Sequence, residues 1–238
     1  MADPARPGRG DGEGGGGGEG GGDAGAGADG SVALRLQEAS ARFGASCWVE
    51  RQLFGLIGTW AGAPGLPDEA QVFCFEASAQ HAWHAELWEA RLPVLAGVDR
   101  ERLARPVGPT AESLLARRAP GPGVSGGDDV AAGRRFLVGL ARVVLPLLLV
   151  SYRELGQHLT PVSDGPAIRA LTLVLRDEEE ELATVQAMID ATLITPELAQ
   201  EASEWDRTLR QAALPAQGGL HAGESQGLLP WSEADAAW

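Results

Sequence analysis

Apolar residues recur every three to four positions through most of the chain, the period of a helix with one buried face. Residues 31–61 follow it with apolar or small side chains at Phe43, Cys47, Leu53, Phe54, Ile57 and Trp60, until Gly62, Pro64 and Pro67 stop the helix. A second helix is expected from Asp68 to about Leu92. Residues 96–131 read as a long connection, with a short helical piece at 112–118 and a loop over Pro122–Gly127. A third helix is predicted for 132–159 with a kink at Pro146, since proline has no N–H to give to the preceding turn. Thr160–Pro166 reads as a tight connection, followed by helices over 166–193 and 196–214. The pattern is all-α: two short-loop hairpins joined by a long crossover, with an extra C-terminal helix.

The ends lack this pattern. Residues 1–30 hold 14 of the 33 glycines and no aromatic side chain, so they are expected to form a disordered tail. Residues 215–238 are expected to form a second flexible tail, which leaves 31–214 as one domain.

Charge and composition narrow the function. The 238-residue chain carries 33 acids against 19 bases, every base an arginine, for a net charge of −14. A nucleic-acid partner is not expected. The longest apolar run, 136–150, contains Arg142 and Pro146 and falls short of the roughly 20 residues that a bilayer requires. It reads as a buried helix, with no membrane partner. Two cysteines, Cys47 and Cys74, make neither a disulfide framework nor a zinc motif, and the plain expectation is a reducing, cytoplasmic setting. No phosphate-binding loop is present, and the single Gly-x-Ser-x-Gly match at 123–127 follows no strand.

The chemistry lies where polar residues interrupt the apolar stripes. On the first helix the stripe passes through 43, 47, 50, 54 and 57, and position 50 is Glu50. On the second it is Cys74, Ala77, His81, His84, Trp88 and Leu92. On the fourth it is Ile168, Leu171, Leu175, Glu178, Leu182, Val185 and Ile189, with Glu181 on the same face. On the third, Leu140, Val143, Leu147 and Val150 lead to Glu154, and Tyr152 is expected to point elsewhere. A carboxylate buried alone costs several kcal/mol, so such groups are expected to be paired, protonated or bound to metal. Carboxylate and imidazole together suit iron, manganese or zinc.

This arrangement resembles the ferritin-like superfamily of dimetal-carboxylate four-helix bundles. Its pattern is one Glu on each of two helices and Glu-x-x-His on each of the other two. Here His81-Ala-Trp-His84 and Glu178-Glu-Glu-Glu181 take the paired positions, with His81 where the family has Glu and Glu181 where it has His. The resemblance implies a metal-binding bundle with Glu50, His81, His84, Glu178, Glu181 and Glu154 as ligands. It also implies one or two ions of iron or manganese and oxidation chemistry that uses dioxygen on an unassigned small-molecule substrate. Glu154 lies only 24 residues before Glu178. At 1.5 Å per residue that sets it about 10 Å nearer the connection, so one ion is easier to build than two. The alternative is a non-catalytic helical module that binds no metal. It would act through protein–protein contacts on the 96–131 connection, the last helix or the acidic ends. Association of two copies through outer helix faces suits either reading.

Overall fold

The computed structural model describes residues 34–94, 99–106, 108–116, 128–213 and 220. The expected 1–30 tail, the Pro122–Gly127 loop and all of 215–238 except Leu220 lie outside those residues. Helices are the regular secondary structure of the described residues, which contain no strand. The helices are α1 (Leu36–Gly58), α2 (Asp68–Glu89), α3 (Pro109–Ala116), α4 (Asp129–Gly139), α5 (Leu145–His158), α6 (Pro161–Thr192) and α7 (Pro196–Ala213). A π turn, Leu140–Val144, joins α4 to α5, so the two run on as one 30-residue helix.

Local chemistry sets several of these limits. Glu38 accepts the Arg35 backbone N–H at 2.9 Å and closes the first turn of α1. Beyond α1 the chain turns through Gly62, whose φ of +90° is costly for any residue with a Cβ. Asp68 and Glu69 put negative charge on the positive end of α2. The Asp128 side chain accepts the N–H groups of Val130 and Ala131 and starts α4. The expected connection at 160–166 is already helical from Pro161. Only Asp164 leaves helical geometry, two residues before Pro166, whose ring crowds the turn behind it.

α1 and α2 lie along one another, as do α5 and α6. Ser78 of α2 donates to the Phe54 carbonyl of α1 at 2.9 Å. Trp60, in the turn after α1, stacks on Phe136 of α4 with ring centres 5.0 Å apart. α7 covers α3, α4 and the π turn with Ala202, Leu209 and Ala213. The Asp129–His158 helix is apolar enough by length and composition to cross a membrane, yet 72% of its apolar window is buried within the protein. Leu220, in the stretch expected to be a flexible tail, is 2% exposed and belongs to the core.

Two stripes run differently from the sequence expectation. On α1, Phe54 is exposed and Leu53 takes the core position. Along α4 and α5, the π turn adds a residue to the helical repeat and rotates everything after it. The buried line keeps Leu140 and Val143 and then passes to Leu145, Leu148, Tyr152 and Leu155. Leu147 is only partly buried, and Val150 is exposed.

Candidate metal centre

The α1–α2 hairpin sets Glu50 against His81 because the two positions lie 31 residues apart on antiparallel helices that share one turn. His81 and His84, one helical turn apart, present their rings edge to face with centres 6.0 Å apart. α6 approaches from the other side with Glu178. One donor atom from each of Glu50, His81, His84 and Glu178 falls within 4.8 Å of all the others. All four side chains are completely buried.

The contacts are ionic and short. His81 Nδ1 lies 2.6 Å from Glu50 Oε2 and 3.4 Å from Glu178 Oε1. His84 Nδ1 lies 3.1 Å from Glu178 Oε1 and 3.7 Å from Glu50 Oε2. Both histidines thus turn Nδ1 toward the same two carboxylates. Their Nε2 atoms face outward to two other acids of α6: His84 Nε2 is 3.2 Å from Asp177 Oδ2, and His81 Nε2 is 3.2 Å from Glu181 Oε2. The second approach is off the line of a hydrogen bond, leaving His81 Nε2 and both Glu181 oxygens without one. Glu178 Oε2 is likewise buried with no partner.

Burial and mutual charge pull these groups in different directions. Burial disfavours the ionised form of Glu50, but the adjoining His81 and His84 overcome it and hold the carboxyl at about 2. Burial pushes Glu178 up to about 7, with neighbouring Glu50 acting in the same direction and His81 opposing. Burial opposes charge on the histidines too. Even so, hydrogen bonds and charges of Glu178 and Glu50 raise His84 to about 10, and Glu181, Glu178 and Glu50 raise His81 well above its ordinary value. The neighbouring carboxylates thus favour the charged form of both rings.

Four of the six expected ligands come together. Glu181 comes close, but on the outer nitrogen of His81. Glu154 is not brought to the group. It is about one-third exposed and pairs with Arg42 of α1 and, at 3.1 Å, with His158. The π turn accounts for this, because it moves Tyr152 onto the buried line and swings Glu154 off it. Tyr152, set aside at the sequence level, is fully buried and donates its hydroxyl to Glu50 Oε1 while accepting Trp88 Nε1 at 3.1 Å. Trp88 is stacked between Phe43 and Tyr152. Asp177 also escaped sequence reading. The signal for it was its spacing from Glu181, which is one helical turn and comparable with that between the two histidines. Cys47 and Cys74 are buried core residues, as expected, and burial pushes their thiols up to about 11 and about 12. No protein-family model, no curated protein and no solved structure matches this chain.

Proposed function

We propose that the chain is a metal-binding helical protein of ferritin-like design, with Glu50, His81, His84 and Glu178 holding iron or manganese. The observation that carries this reading is the convergence of four fully buried donor atoms from three helices within 4.8 Å. The donor set fits a divalent ion. Two imidazole nitrogens and two carboxylates suit iron, manganese or zinc, and the two negative charges match one divalent ion when both rings are neutral. The unpartnered, buried Glu178 Oε2 is a further acceptor that an ion would satisfy. The pairing of α1 with α2 and of α5 with α6 supports a four-helix core in which the 96–131 stretch is the crossover.

An iron or manganese ion held there supplies one-electron redox chemistry, and oxidation with dioxygen is the reaction class we assign to it. The chain's own residues supply the rest. Tyr152 holds one oxygen of Glu50 and leaves the other facing the histidines. The surrounding apolar side chains exclude water and strengthen every charge interaction inside.

Elemental analysis after reconstitution with Fe(II) or Mn(II) tests the proposal. About one ion per chain is expected in the wild type, falling to background in Glu50→Ala and His84→Ala with the helical signal retained. Unchanged metal content in both variants overturns it. One observation favours a second reading, in which the group is a purely structural ionic network. Glu50 Oε2 and His81 Nδ1 are 2.6 Å apart, a direct hydrogen bond, whereas two ligands of one ion stand roughly 3 Å or more apart. Failure of Fe(II), Mn(II) and Zn(II) to raise the melting temperature would support that network, because a ligand bound only to the native state stabilises it.

A further inference from the structure

The outer nitrogens of the two buried histidines have acids assigned to them, and neither acid belongs to the four-group centre. Asp177 and Glu181 stand four residues apart on α6, on either side of Glu178 in sequence. His81 and His84 stand three apart on α2. Each acid meets one ring: Asp177 Oδ2 lies 3.2 Å from His84 Nε2, and Glu181 Oε2 lies 3.2 Å from His81 Nε2. α6 thus presents two kinds of carboxylate to α2. Glu178 faces the Nδ1 atoms, and its two neighbours face the Nε2 atoms.

This arrangement has a consequence for ligation. A neutral imidazole carries one proton, and only the nitrogen without it has a lone pair for an ion. If the proton sits on Nδ1, the ring cannot bind in the group centred on Glu50 and Glu178. An acceptor at Nε2 draws the proton there and frees Nδ1, and it also fixes the ring plane. Glu181 meets His81 Nε2 at 3.2 Å as an ionic contact and not as a hydrogen bond. It is 5% exposed, both of its oxygens lack hydrogen bonds, and the buried His81 Nε2 that it faces lacks one too. Burying a carboxylate without hydrogen bonds is unfavourable. Its presence is accounted for if the His81 Nε2–H becomes its donor when Nδ1 is engaged.

We propose that Asp177 and Glu181 are positioning residues that hold the protons of His84 and His81 on Nε2, so that both rings offer Nδ1 to a single ion between Glu50 and Glu178. This rests on the metal reading above and narrows it. Glu181 is an orienting carboxylate rather than a ligand, and the centre is mononuclear.

The test is titration of the metal-free, full-length protein with Co(II), reading the visible absorption of the bound ion alongside affinity and stoichiometry. The variants are Glu181→Leu and Asp177→Leu, with Glu181→Gln and Asp177→Asn, whose amide oxygens can still accept from Nε2–H, as conservative partners. The leucine variants are expected to bind one ion with the wild-type band shape but 10–100-fold more weakly, and the amide variants to recover most of that loss. Thermal unfolding of the metal-free protein separates orientation from simple support. Glu181→Leu removes the charge that faces His81 Nε2 at 3.2 Å, so its metal-free melting temperature should fall, and that loss is read separately from the change in metal affinity. A shifted band shape or lost stoichiometry in Glu181→Leu would make Glu181 a ligand and overturn the proposal. Wild-type affinity in both leucine variants would overturn it too, while leaving the metal reading intact. Absence of Co(II), Fe(II) and Mn(II) binding by the wild type would remove both.

Discussion

Glu50 and Glu178 sit in one buried group yet are held at opposite ends of the carboxylate range, at about 2 and about 7. Glu50 has a close imidazolium and the Tyr152 hydroxyl, whereas Glu178 keeps one oxygen with no partner. The histidines carry the complementary shift, with His84 held at about 10 against an ordinary 6.5. If the group holds an ion as proposed, protons on the two rings would compete with it near neutral pH. Apparent affinity for Mn(II) should rise at least tenfold per pH unit between pH 6 and 8, measurable by competition with a chelator of known pH dependence. A pH-independent affinity would contradict the assignment of the histidines as ligands.

The metal-free protein should behave in the opposite sense. The stabilisation from the His84 proton is complete below 6.5 and is lost as pH rises through about 10. Glu178 adds a loss between 4.5 and about 7, while the contribution of Glu50 is present above 4.5 and is lost as pH falls through about 2. The metal-free melting temperature is therefore expected to fall from pH 6 to pH 10, as differential scanning calorimetry can show.

At the scale of elements, the junction between α4 and α5 determines which residues reach the centre. An α-helix would have the residue-146 N–H donate to the Arg142 carbonyl, but Pro146 has no N–H to give. Arg210 of α7 supplies a substitute donor, its Nη2 lying 2.9 Å from the Arg142 oxygen. Arg210→Ala is expected to lower stability by roughly 0.5–1 kcal/mol in chemical denaturation. The same change in a Pro146→Ala background should do less, since the alanine N–H can take the carbonyl, and the double-mutant cycle reads the coupling directly.

This junction also marks the limit of what the sequence could reveal. Glu50, His81, His84 and Glu178 were legible because each breaks an apolar stripe on a helix of regular period. Within the run 177–181, the same period separates buried Glu178 and Glu181 from exposed Glu179 and Glu180. Past Leu140 a regular period misleads, because one extra residue in the turn exchanges the places of Tyr152 and Glu154. The proline signals the kink, but which residue the kink turns inward depends on how α6 and α7 pack against the helix.

Across the whole molecule, the centre lies on the hairpin α1–α2 and on α6, which follow each other in the chain only after the long apolar Asp129–His158 helix. Glu50 and the two histidines are within reach of each other as soon as the first hairpin forms, whereas Glu178 is delivered only when α6 docks. The first half of the site is thus a matter of local contacts, and the second half a matter of tertiary structure.

The complete burial of all four side chains sets a clock as well as an affinity. None of the four side chains has exposed surface among the described residues, so an ion is expected to enter or leave when α6 parts from α2. Exchange is then paced by opening of the protein and not by the strength of the coordinate bonds. Removal of bound metal by excess chelator should be slow, should become independent of chelator concentration, and should speed up in sub-denaturing urea. A release rate that climbed in proportion to chelator would mean that the centre is reached from outside without such opening. If release instead saturates, metal once taken up would be retained for as long as the fold stays closed.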